Sequence, residues 1–183
     1  MEPTANNRVV LCGSFNVMWM IGGWFGEKTM TTNNELVTDF LAQKRIAVAG
    51  VSRTENDAAN GIYRKLRDNG YTVFAVNPNT ERVEGDLCYP NLKSIPGGVD
   101  GVVLVTRPEV TEKIVQECSE AGVKRVWMHH GLMGDSSSAA AVRYCQDQGI
   151  AVISVGCPMM FCAPDFGHRC MKWIMQATGK LPR

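Results

Sequence analysis

Residues 45–51 read RIAVAGV, and this stretch decides how the chain is read. A short unbroken apolar run that closes on glycine suits a strand buried on both faces that turns sharply at its carboxyl end. Four further runs of the same kind follow, at 71–76 (YTVFAV), 99–105 (VDGVVLV), 125–129 (RVWMH) and 150–155 (IAVISV). Helical stripes separate them. Ala59, Ile62, Tyr63 and Leu66 form one, stopped at Asn69 and Gly70. Val110, Ile114, Val115 and Cys118 form the next, behind Pro108 and ahead of Gly122. Ala139, Val142 and Cys145 lead to Gly149, and Met171, Ile174, Met175 and Thr178 lead to Gly179. A short helix carrying Leu36, Val37, Phe40 and Leu41 precedes the first strand. The polar stretch after the second strand, with Gly85 and Pro90, reads as a loop. Alternation of this kind predicts an α/β fold with a doubly wound, parallel, five-stranded sheet, in the order 3-2-1-4-5, with helices on both faces.

The chain has 183 residues, 45% of them hydrophobic and 20% charged, with a formal net charge of +1. That is enough to bury a core without staples. Near-neutral charge argues against nucleic-acid binding by bulk electrostatics. Seven cysteines lie at 12, 88, 118, 145, 157, 162 and 170, with no Cys-x-x-Cys pair. This reads as buried, reduced thiols in a cytoplasmic setting. Residues 9–25 (VVLCGSFNVMWMIGGWF) are apolar, but four of the seventeen are glycine or asparagine. A membrane span needs ~20 apolar residues, and no small-x-small cleavage site follows. Residues 1–30 are therefore expected to be an N-terminal extension outside the fold, with residues 31–183 forming the domain and no membrane association.

In a doubly wound sheet, ligands bind beyond the carboxyl ends of the strands. The informative residues are those that follow each strand. Gly50 lets the backbone approach a phosphate, Ser52 adds a hydroxyl and Arg53 a charge. The next helix, expected to begin near Asn60 and Gly61, offers free N–H groups. Gly50→Val is thus expected to weaken ligand binding while the fold is kept. The nicotinamide fingerprint fails at two points. The second and third glycines are missing from residues 50–55, and strand two ends in Asn77, Pro78 and Asn79 rather than a carboxylate.

Five segments in order carry a resemblance: AVAGVSR at 47–53, VNPN at 76–79, VDGVVLVTRPE at 99–109, VWMHHG at 126–131 and VGCP at 155–158. Together they resemble the CoA-binding domain, the Rossmann-like domain at the N-terminus of the succinyl-CoA synthetase α-subunit, in its small stand-alone bacterial version. The resemblance runs from about Leu36 to Pro182. It implies coenzyme A or an acyl-CoA lying across the strand ends. Gly50, Ser52 and Arg53 would then meet phosphate, Asn77, Pro78 and Asn79 form a second wall, and Thr106, Arg107 and Pro108 a third. Arg107 is the candidate for a further phosphate contact. Stand-alone members often carry Trp-x-Gln-x-Gly after strand four; here His129 stands in place of the glutamine, a group that titrates near neutrality.

The expected function is that of a CoA-binding carrier, sensor or regulatory module. An NAD(P)-dependent oxidoreductase with a degenerate fingerprint and a binding subunit of an acyl-CoA ligase complex are the alternatives. Self-association and an acyl-CoA enzyme partner both stay open. The chain lacks the ligase portion of the synthetase, so that activity does not transfer. No nucleophile elbow, carboxylate pair or P-loop is found. Cys157 and Cys162, with His168, are poorly spaced for zinc. His168 or His130 is expected to bond backbone near the strand ends. Cys157, at the end of strand five, is a candidate for meeting the CoA thiol.

Overall fold

A computed structural model describes residues 32–54, 57–131 and 134–179. The expected extension, residues 1–30, lies outside these. Helix α1 (Asn33–Leu41) opens the described fold. Thr32 caps it: its hydroxyl accepts from the Glu35 N–H, and the Glu35 carboxylate accepts from the Thr32 N–H, each at 3.3 Å. Strand β1 (Arg45–Ala49) follows. Its start is held by the Asp100 carboxylate, which accepts from the Arg45 N–H at 2.9 Å. Helix α2 (Ala58–Asp68) and strand β2 (Thr72–Val76) complete the first βαβ unit.

The chain then forms a hairpin of β3 (Arg82–Val83) and β4 (Asp86–Tyr89), followed by β5 (Gly101–Leu104), α3 (Pro108–Glu120) and β6 (Arg125–Met128). A two-stranded ribbon, β7 (His130–Gly131) with β8 (Gly134–Asp135), leads into α4 (Ala139–Asp147). Strand β9 (Ala151–Ile153) and helix α5 (Phe166–Ala177) end the described chain.

The main sheet has seven strands in the order β3-β4-β2-β1-β5-β6-β9, all parallel except β3. The doubly wound class is as expected; the strand count and order are not. The run at 99–105 lies beside β1, not outside β2. The place outside β2 belongs to β4, in the stretch read as a loop. Counting β4 as the third parallel strand restores the order 3-2-1-4-5, extended by one strand. The misreading has a physical cause. Strand β4 lies near the sheet edge, half-covered, with Leu87 exposed and only Cys88 buried, so it carries no apolar run.

Side chains alternate across the sheet. Ile46, Val48 and Trp127 face α1, α2 and α5, in a layer with Phe40, Ile62, Tyr63 and Leu66. Ala47, Ala49, Leu104 and Met128 face α3 and α4, where they meet Val115, Cys118 and Cys145. Phe40 packs edge-on to Trp127, with centroids 5.4 Å apart. Among the described residues, no helix is long and apolar enough to cross a membrane. The six described cysteines are free, and all but Cys170 are buried.

Candidate functional site

The parallel strands align their carboxyl ends along one edge, and between β1 and β5 the order in which strands are added to the sheet reverses. Gly50 follows β1 with φ +102° and donates its N–H to the Val76 carbonyl at 3.3 Å. A Cβ built there would lie 2.1 Å from the Val105 carbonyl oxygen. Glycine is required because the β1 and β5 exits touch, which alters the expectation that a side chain at position 50 would only fill a ligand's path. The Asn77 amide donates to the Val51 carbonyl at 2.6 Å, and its oxygen accepts from the Asn79 N–H at 2.8 Å. The His129 N–H bonds the Leu104 carbonyl at 2.8 Å. The His130 N–H bonds the Gly156 carbonyl at 3.2 Å, so the five strand exits that the sequence singles out are knitted into one edge.

Several candidate polar groups are used to hold that edge. The Ser52 hydroxyl donates to the Asp57 carboxylate and accepts from the Thr54 N–H at 3.0 Å. The Thr106 and Thr111 hydroxyls share a hydrogen bond at 2.8 Å. By contrast Arg53 and Arg107 are exposed, and neither has an acidic partner among the described residues. Pro78 and Asn79 are exposed at the second exit, and Pro108 begins α3. Among the described residues, the edge thus offers two exposed guanidinium groups without an acidic partner beside a hydrogen-bonded loop frame.

Helix α2 begins at Ala58, two residues before the expected start. Asn60 consequently sits inside its first turn, buried. The Asn60 amide brackets Ser52, accepting from its N–H at 2.9 Å and donating to its carbonyl at 2.8 Å. The same amide donates to Glu84, which also accepts from Arg64 at 2.7 Å. These bonds, first from Asn60 and then from Arg64, hold the Glu84 carboxyl below the usual range. Sequence reasoning missed Asn60 and Glu84 as supports of the loop; they are far apart in sequence and are joined by the β3–β4 hairpin. Asp57 also went unnoticed. It precedes α2 but makes no capping hydrogen bond, so the first-turn N–H groups are left to meet an anion or water.

On the α2 and α5 side, the edge opens into a cleft of about 690 Å³. Asp57, Gly61, His129 and Gly131 border it on the strand side. Its floor includes Cys157 and Met160, and α5 forms the far wall. His129 is buried, and burial followed by the neighbouring His130 pushes its imidazole below the ordinary value. It is neutral at pH 7. Burial pushes the Cys157 thiol up to about 11. A thiol held protonated is a poor nucleophile, so the structure does not support a reactive Cys157. The His130 ring pairs with Asp135 at 3.1 Å and the His168 ring with Asp165 at 2.7 Å, a carboxylate in each case rather than the backbone partner expected of one of them. Among the described residues no group of three or more His, Cys, Asp or Glu is placed to hold a metal ion.

The model of a family described as "CoA binding domain" matches residues 44–163. The chain is 29% identical over 120 residues to the ADP-forming acetate–CoA ligase I of Archaeoglobus fulgidus, a stretch that is 62% of this chain and 18% of that ligase. It spans less than a fifth of the length of three archaeal acetate–CoA ligases that it matches. It is 28% identical over 110 residues to the uncharacterized protein YneT of Bacillus subtilis, covering 60% of this chain and 78% of that one. Among solved structures, a hypothetical protein from Pyrococcus horikoshii OT3 superposes with a TM-score of 0.65 at 28% identity, over 70% of this chain and 88% of that one. With the match spanning β1 through the turn after β9, the chain belongs to the CoA binding domain family.

Proposed function

We propose that the protein binds coenzyme A, free or as a thioester, across the carboxyl ends of β1, β2, β5 and β6. Arg53 and Arg107 reach the phosphates, and the N-terminus of α2 faces the diphosphate with its unbonded N–H groups. Gly50, Ser52, Asn77 and Thr106 hold the loops that carry these contacts, Pro78, Asn79 and Pro108 line the walls, and His129 closes the edge near the thiol end. The observation that carries the reading is the meeting of these exits at one edge, with two exposed arginines left over. In this role the protein is a carrier, sensor or regulatory module for CoA.

Relatives named as acetate–CoA ligases favour a second reading, in which a partner chain supplies the missing ligase half. Titration calorimetry with CoA, acetyl-CoA, NAD and NADP tests the first. CoA or its thioester is expected to bind more tightly than either nicotinamide nucleotide, and the reverse order overturns the proposal. Pull-down of a ligase-type subunit from the native host tests the second.

A further inference from the structure

The cleft beside the strand ends has a wall that the family match does not include. The match stops at residue 163, and α5 begins at Phe166. Met171, Ile174 and Met175 of α5 face Met159, Met160 and Cys157 across the cleft. Four flexible thioethers, an isoleucine and a thiol make a lining that adapts its shape to an apolar guest. His129 on the strand side and Cys157 on the floor are uncharged at neutral pH, because burial lowers the imidazole and raises the thiol. Charged groups lie among the lining residues too, but they are engaged. Arg64 pairs with Glu84 and Asp57 accepts from Ser52, while the His130 and His168 rings bond Asp135 and Asp165.

That last bond matters for position. Asp57 borders the cleft and is joined to Ser52 of the candidate phosphate loop, so the cleft begins where that loop ends. Gly61, one turn into α2, has no side chain to obstruct this entrance; a Cβ there would already touch the Met159 sulfur at 3.9 Å. The cleft's volume falls within the ~300–1,000 Å³ usual for small-molecule sites.

The geometry points to a thioester-side pocket: the methionine-lined cleft between α2 and α5 takes the aliphatic chain of an acyl-CoA, so medium-chain acyl thioesters, rather than free CoA or acetyl-CoA, are the preferred ligands. This inference rests on the proposal that CoA lies across the strand ends.

Titration of the full chain with CoA, acetyl-CoA, hexanoyl-CoA, octanoyl-CoA and octanoate alone tests it. Affinity is expected to rise between about twofold and fourfold for each added methylene, which makes octanoyl-CoA ~60-fold or more tighter than acetyl-CoA. Equal affinity for acetyl-CoA and octanoyl-CoA overturns the acyl pocket and leaves the CoA reading standing. No binding by any CoA compound overturns both. Octanoate binding as tightly as octanoyl-CoA also overturns the inference, because the cleft would then serve a free fatty acid. No residue of α5 is fully buried, so Ile174→Gln and Met175→Gln are expected to leave the protein folded, as checked by circular dichroism. Each is expected to lower the octanoyl-to-acetyl affinity ratio by roughly fivefold or more. An unchanged ratio in both variants overturns the inference.

Discussion

Two residues at the strand edge have effects that oppose what their types suggest. Gly50 lies where the sequence leads one to expect a phosphate contact, yet the constraint the structure places on it is steric. Its φ of +102° and the 2.1 Å approach of a built Cβ to the Val105 carbonyl oxygen both exclude a side chain. Gly50→Val is expected to cost about 2 to 5 kcal/mol of stability, read by chemical denaturation. A variant as stable as the parent would show that the β1 and β5 exits yield easily. Asp57 is the reverse case. Its charge suits the positive end of α2 but faces the region where a diphosphate would bind. Asparagine keeps the acceptor for Ser52 and removes the charge. Asp57→Asn is therefore expected to strengthen CoA binding by roughly two- to fivefold in titration calorimetry, the range for an exposed charge contact. Weaker binding would place the phosphates elsewhere.

At the level of elements, α1 is an integral part of the fold although the family match begins only at residue 44. Phe40 is 1% exposed, packs edge-on to Trp127 of β6 and fills the space left by Gly101 of β5. The Asp39 carboxylate meets the Arg125 guanidinium and ties the same helix to the start of β6. Phe40→Ala is expected to cost about 3 to 5 kcal/mol, with the loss visible in the urea midpoint. A loss below 1 kcal/mol would mean that α1 is only loosely docked. The elements show where sequence reading works and where it stops. Strand β1 was legible because both its faces are buried, so each residue from Ile46 to Ala49 must be apolar. Strand β4 was not, because one neighbour is the two-residue β3 and half its surface faces solvent. The β3–β4 turn hides as well: it places Glu84 at φ +54°, a conformation more usual for glycine or asparagine.

For the whole molecule, ligand binding and folding are linked. A ligand at a hundred times its Kd adds about 2.7 kcal/mol to stability, which for a domain of this size raises Tm by roughly 5 to 10 °C. CoA is expected to produce that shift in a thermal melt and NAD a smaller one; an equal shift from both would weaken the case for CoA. The sequence by itself determined the alternation of strands and helices, the doubly wound class and the five strand-end segments that mark the family, because burial on two faces and sharp turns restrict residue choice locally. Only the tertiary structure decided that β4 takes the place outside β2, that Asn60 and Glu84 brace the Ser52 loop, and that α5 closes a methionine-lined cleft beside it. Each of those depends on contacts between residues distant in the chain, whose side chains obey no local period.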